Sequence, residues 1–188
     1  MYKYAAQQDR DPLMTLDAFH PFKAPESNPP APEGWIELPS PGGFCDTFGP
    51  VHATRDGPGQ FAVGFRCTER HLNPSHYCHG AALAAFTDMQ AYGVQHLVGY
   101  EAAVVPTISM NIDFLSIVHP GDWVRGDIEV TRKTRNLVFA QMRCSVGDRP
   151  VMNARALFKV MAMHALADTT YFDRIGPEIE RRFARIGR

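Results

Sequence analysis

The chain has no surplus of either charge. Its 19 Lys and Arg stand against 20 Asp and Glu, a net of −1 over 188 residues. A duplex nucleic-acid binder carries a basic excess, because phosphate neutralisation drives its affinity, so no nucleic acid is expected as a partner. No apolar run approaches the ~18–20 residues of a membrane-crossing helix. The opening MYKYAAQQDRDPLM has no basic stretch followed by an apolar one. Neither membrane contact nor a secretory signal is expected. Cysteine is sparse, with four residues at 45, 67, 78 and 144 and no CxxC pair. A disulfide framework belongs to small secreted chains dense in cysteine, so four reduced thiols in a cytoplasmic protein are expected. Metal-ligand spacing is missing too. His71, His76, Cys78 and His79 crowd one loop, but His-x₄-His-x-Cys-His matches no paired zinc spacing and no second cluster follows. No metal and no other cofactor is expected.

What is present is the composition of a soluble globular protein, 45% apolar and 21% charged. The length suits one domain. Eight of the fifteen prolines fall within the first 41 residues. Proline fixes φ and removes donors, so residues 1–43 read as an extended N-terminal arm, docked through Trp35, Ile36 and Leu38. From Phe44 the texture changes. Residues 45–55 and 60–68 read as two strands across the turn-rich Arg55-Asp56-Gly57-Pro58-Gly59. A helix of about 17 residues follows Gly80, apolar on nearly every side and therefore suited to a core. Period-two alternation then marks strands over 104–117, 122–132, 136–147 and 150–162, the last three joined by short turns into an antiparallel meander. Ile179, Phe183 and Ile186, with Pro177 at a first-turn position, predict a short amphipathic C-terminal helix. The expected architecture is α+β: an antiparallel sheet of about six strands wrapped around one long central helix. The arm spans 1–43, the domain 44–163, and a helical extension 164–188.

Two features of the central helix suggest chemistry. Asp88 is a carboxylate about two turns into an apolar helix, too far in to cap it. It must be paired or face a cavity, because burying it bare is costly. His79-Gly80 opens the helix, where free N–H groups favour developing negative charge. Eight residues separate Gly80 from Asp88, about 12 Å along a helix, too far for both to serve one carbonyl. Cooperation therefore requires a second chain bringing its helix alongside, antiparallel. Arg132, Lys133 and Arg135 crowd one turn, as either a solvated basic turn or a contact for phosphates.

The run Asn73-Pro74-Ser75-His76-Tyr77-Cys78-His79-Gly80-Ala81, followed by Asp88, resembles the hotdog-fold acyl-CoA thioesterases of the PaaI-like group. Their signature is Asn-x-x-Gly-x-x-His-Gly-Gly with an acid seven residues beyond. Thr107-Ile-Ser-Met-Asn-Ile-Asp-Phe-Leu and His119-Pro-Gly-Asp resemble the family's third strand and following turn. The resemblance implies a hotdog fold, hydrolysis of an acyl-CoA thioester, and a homodimer with shared active sites, as a dimer of dimers. It implies Asp88 as nucleophile or general base, Gly80 N–H as donor to the carbonyl from the partner subunit, and Asn73 orienting carbonyl or water. Thr107 would hold the water, His79 would fix the loop, and Arg132 and Arg135 would meet the nucleotide. His76 replaces the signature's first glycine and Ala81 its last, and both would border the substrate. Asn73-Pro74-Ser75-His76 also resembles part of the (R)-specific enoyl-CoA hydratase signature, with His71 where that family has an acid. A third expectation is an acyl-CoA-binding protein on this fold without catalysis.

Overall fold

The computed structural model describes residues 29–99, 103–162 and 170–187. The first 28 residues of the arm, residue 163 at the end of the domain and residues 164–169 of the extension lie outside these. The longest strands are those whose sequence alternation is strongest. Trp123–Lys133 (β6), Leu137–Val146 (β7) and Arg149–Lys159 (β8) form the expected meander. Val124, Gly126 and Ile128 alternate inward with Val138, Ala140, Met142 and Cys144, and with Met152, Ala154, Ala156 and Phe158. Phe61–Arg66 (β3) pairs with β6, and His52–Thr54 (β2) and Ile36–Glu37 (β1) extend that side. Thr107–Phe114 (β5) pairs with β8 at the far edge. The result is a seven-stranded antiparallel sheet in the order β1-β2-β3-β6-β7-β8-β5, with Ala103–Val104 (β4) and Met161–Ala162 (β9) as a separate pair.

Residues 45–55 do not form one strand. Phe44–Phe48 is a short helix (α1), and only His52–Thr54 is extended. The apolar residues of the helical turn are used differently from those of a strand. Phe48 packs on Phe65 and stacks over Phe86, while Phe44 stays exposed.

The central helix runs as two pieces, Gly80–Asp88 (α2) and Gln90–Val98 (α3), meeting at Met89. Thr87 Oγ1 donates to Leu83 O at 2.9 Å, and Gln90 Nε2 donates to Thr87 O at 2.9 Å. Such back-bonding competes with the helix ladder and bends it. Leu83, Phe86, Met89 and Val94 face the sheet. Gly93 lets α3 approach closely, since a Cβ there would lie 2.5 Å from Ile128 Cδ1 and 2.8 Å from Phe61 Cδ1. The helix is not covered all round, however: Ala81 and Asp88 are exposed.

The C-terminal helix is longer than its pattern suggests, Thr170–Arg185 (α4), with Pro177 inside and exposed rather than in the first turn. Ile175, Ile179 and Phe183 are buried, and Phe183 meets Phe61 edge-on. Arg55 clasps the helix, lying 4.1 Å over the Phe183 ring and pairing with Glu180. Among the described residues no helix is long and apolar enough to cross a membrane.

Candidate active site

The loop before α2 is built by its own side chains. Asn73 Oδ1 accepts from Ser75 N–H at 2.9 Å and Tyr77 N–H at 3.2 Å, while Asn73 N–H donates to Tyr77 O at 2.8 Å. This tight circuit puts His76 at φ 61°, the one non-glycine residue with positive φ among those described. A glycine adopts that conformation without cost, and an L side chain does not. Cys78 N–H donates to Val118 O at 2.9 Å and His79 N–H to His71 O at 2.7 Å, tying the loop's exit to the connection before β6 and to the short 3-10 turn Glu69–His71.

His71 is part of that scaffold. Its Nδ1 accepts from Thr68 N–H at 2.9 Å and its Nε2 lies 2.8 Å from Phe48 O. These partners fix the neutral tautomer with the proton on Nε2. Burial lowers the ring's pKa, against the pull of the Phe48 carbonyl. A ring so committed cannot act as the acid partner that a hydratase pair with His76 needs.

At the start of α2 the donors divide unequally. Ala81 N–H is taken by His79 Nδ1 at 2.9 Å, and Ala82 and Leu83 N–H go to His79 O at 2.9 and 3.1 Å. His79 thus caps the helix with both side chain and carbonyl. Gly80 N–H, at the first helical position, has no intrahelical acceptor. It is the one donor of the first turn left for a ligand. The Phe114 ring stands beside it, 3.5 Å from where a Gly80 Cβ would be.

At the other end of α2, Thr107 Oγ1 donates to Asp88 Oδ1 at 2.7 Å. Asp88 Oδ2 accepts nothing among the described residues. The carboxylate therefore sits exposed and oriented, where α2 meets the edge strand. Gly80 and Asp88 lie on one continuous α2, so the ~12 Å separation holds within a chain.

Lys133, Val138, Phe158 and Thr107 fall in one row across β6, β7, β8 and β5. Directly paired residues share a face, so Lys133 is on the helix side, three strand spacings or about 14 Å from Thr107. Its Nζ reaches Val98 O at 3.4 Å. A bulge between Val130 and Arg132 causes this, turning Arg132 to the opposite face opposite Phe139. Arg132 and Arg135 are exposed and make no ion pair among the described residues. Among the same residues no group of three His, Cys, Asp or Glu is arranged to hold a metal ion.

The thioesterase superfamily profile matches this loop, helix and the strands after it, from 75 to 152. No curated protein matches the chain. Among solved structures, zebrafish thioesterase superfamily member 2 is similar at 21% identity and a TM-score of 0.57, over 65% of this chain and 88% of that one. A hypothetical thioesterase from Streptococcus pneumoniae, solved with coenzyme A, is similar at 18% identity and a TM-score of 0.54, over 60% and 89%. The PaaI protein of the E. coli phenylacetic acid degradation operon is similar at 18% identity and a TM-score of 0.54, over 60% and 80%. The sheet wrapped on a central helix is the hotdog fold of these thioesterases.

The structure brings Asp88 and Thr107 together and leaves Gly80 apart, with His79 and Asn73 supporting the loop between sheet and helix. Ala81, exposed beside Gly80, leaves the helix opening narrow. Two side chains are placed differently from their sequence pattern. Strict alternation assigns the inward place to Arg132, whereas the bulge gives it to Lys133, which the pattern leaves as one of three cations in the turn. Phe114 reads as core from its spacing, yet it is 53% exposed and walls the Gly80 donor.

Proposed function

We propose that this domain hydrolyses acyl-CoA thioesters as a homodimer, each site built by two chains. The observation that carries the reading is the Thr107–Asp88 hydrogen bond of 2.7 Å on a helix whose other end offers Gly80 N–H. Thr107 holds one carboxylate oxygen, leaving the other to take a proton from water. The resulting hydroxide attacks the thioester carbonyl, and negative charge grows on its oxygen. A partner chain's Gly80 N–H stabilises that charge, as an oxyanion donor does. Collapse expels the coenzyme A thiolate, which recovers the proton held by Asp88.

The edge strand supports the dimer. β5 pairs only with β8 among the described residues, and its helix-side Met110 and Phe114 are 38% and 53% exposed. An exposed apolar edge strand invites pairing with a second copy. An antiparallel β5–β5 contact sets the two α2 helices side by side in opposite directions, which the 12 Å separation demands. Lys133, in the Thr107 row, is the basic side chain best set to meet coenzyme A phosphate. Asn73, His76, Ala81, Arg132 and Arg135 then border the site or stand outside it.

An acyl-CoA panel with thiol detection tests the reaction. Asp88→Asn keeps shape and hydrogen bonding but not basicity, and should lower kcat about 10²–10⁴-fold with an unchanged melt. Wild-type turnover by a folded Asp88→Asn protein would refute the assignment.

A further inference from the structure

The face of the sheet turned away from the central helix carries a second cluster of polar groups, unconnected with Asp88. His52 pairs with Gly64 and Arg66 with Trp123, so all three functional side chains project from that face. Gly64 makes room for two indoles, since a Cβ there would lie 2.7 Å from Trp123 Cζ2 and 2.8 Å from Trp35 Cζ3. The Arg66 guanidinium lies 5.1 Å over the Trp123 ring, and the His52 ring is 5.3 Å from it. Each of the three has a buried nitrogen without a hydrogen-bond partner among the described residues: His52 Nδ1, Arg66 Nε and Trp123 Nε1. Buried polar atoms are nearly always satisfied, and unsatisfied ones call for a ligand, water or ion.

All three side chains line one cavity of about 620 Å³, within the range of small-molecule sites. Two orphan atoms, on Arg66 and Trp123, can only donate, so they call for an acceptor. The charge balance narrows the choice. Arg66 gives its terminal nitrogens to Gly121 O at 2.9 Å and Pro30 O at 2.8 Å; among the described residues it makes no direct ion pair, and the nearby Asp122 carboxylate supports its charge only at longer range. The carboxylate of Asp122 is held elsewhere, by His119 N–H and Arg149. Burial lowers the Arg66 pKa, the mark of a partly desolvated cation. Glu37, Glu69 and Arg70 also line the cavity, so its two cations face two carboxylates, a balance that suits a guest with one negative charge better than a polyanion such as a nucleotide. Pro30, Pro50 and Pro120 add apolar wall around the Trp123 ring.

We propose that this outer cavity is a binding site for a small monocarboxylate with an apolar body, its carboxylate taking Arg66 Nε–H and Trp123 Nε1–H and its body lying among the prolines. The site is independent of the thioesterase reading. Its donors are sealed in the fold, so the guest meets them through side-chain rearrangement, which is common on ligand binding.

The probe is benzoate, with benzamide as its neutral isostere, and the reporter is the indole N–H resonance of Trp123 in the full chain. The chain has two tryptophans, so Trp35→Phe assigns the signal. Benzoate should move the Trp123 resonance saturably and benzamide should not. Asp88→Asn should leave that response intact, which separates this cavity from the active site. Arg66→Gln should weaken benzoate binding about tenfold or more, the effect of one charged hydrogen bond. Because that change could also disturb the fold, Trp123→Phe provides a second reading by calorimetry: the ring stays, the donor goes, and affinity should fall several-fold. A saturable response to benzamide equal to that for benzoate would overturn the site. So would no saturable benzoate response, or full affinity in a folded Trp123→Phe protein.

Discussion

Gly80 can be stripped of its one relevant atom without disturbing the helix it opens. It occupies the first helical position, where proline is favoured because the missing N–H has no helical acceptor. The residue before a proline must be extended, and His79 already is, at φ −65° and ψ 136°. A Cβ at position 80 meets only the Phe114 ring at ordinary contact distance, 3.5 Å. Gly80→Pro should therefore fold with a melt close to wild type while losing the donor. Losing one oxyanion donor costs about 10²–10³ in kcat. Mixing then reads where the donor acts. Gly80→Pro and Asp88→Asn proteins are each nearly inactive, but a mixed dimer holds one site with both intact groups if the site spans two chains. Random exchange makes half the dimers mixed with one working site in two, so about a quarter of wild-type activity should return. The assay is thioester hydrolysis after subunit exchange followed by mass spectrometry. No recovery in proven mixed dimers would refute the two-chain site. Full activity of Gly80→Pro alone would refute the oxyanion role.

Three further outcomes follow from particular contacts. His76→Gly should raise stability by about 0.5–1 kcal/mol, as left-handed strain is relieved against the added chain entropy of glycine; a lower melting temperature would count against strain at that position. Lys133→Ala should raise KM for coenzyme A thioesters more than Arg132→Ala does, with kcat nearly unchanged in both; equal effects would mean that the bulge does not decide which cation meets the phosphates. His96 has its pKa pushed down to about 4, by burial and then Arg55, against the pull of Glu180. The unfolded chain, titrating near 6.5, thus binds a proton that the folded one refuses between those values, and stability falls as pH drops through that window, by about 2 kcal/mol at pH 5. His96→Gln should remove that part of the acid sensitivity, and identical pH–melting curves for the two proteins would refute it.

What the sequence discloses tracks how strongly each element repeats its signal. The meander of β6, β7 and β8 alternates over ten or eleven residues per strand, so one face is written many times. The helix boundary at Gly80 is equally plain, because a loop of polar and ring residues gives way there to alanine and leucine. Short elements have no such redundancy. α1 is five residues of Phe, Cys, Asp and Thr, β-favouring in composition, and it is helical because Phe48 must reach both Phe65 and Phe86. The start of α4 is hidden for a different reason. Pro177 reads as a first-turn residue, yet its exposed ring sits where the lost hydrogen bond can be made good by water, while Ile175 before it and Ile179 after it hold the helix down.

The candidate site divides along the same line. Asp88 and Gly80 are legible because each violates its surroundings, a charge in an apolar helix and a glycine at its opening. Lys133 is not, because a bulge adds one residue without a characteristic composition and reverses every side chain beyond it. A second bulge, between Thr107 and Ser109, acts on the other wall of the site. It keeps Thr107 on the helix side, with Met110, Ile112 and Phe114 following at the usual alternation, and so lets one hydroxyl reach Asp88 while the strand beyond presents its apolar residues outward. Both irregularities fall at the same end of the sheet, in or beside the row that joins Lys133 to Thr107. Regular pairing builds the domain, and the two departures from it turn a cation and a hydroxyl to the helix side of the sheet, Lys133 toward Val98 O and Thr107 onto Asp88.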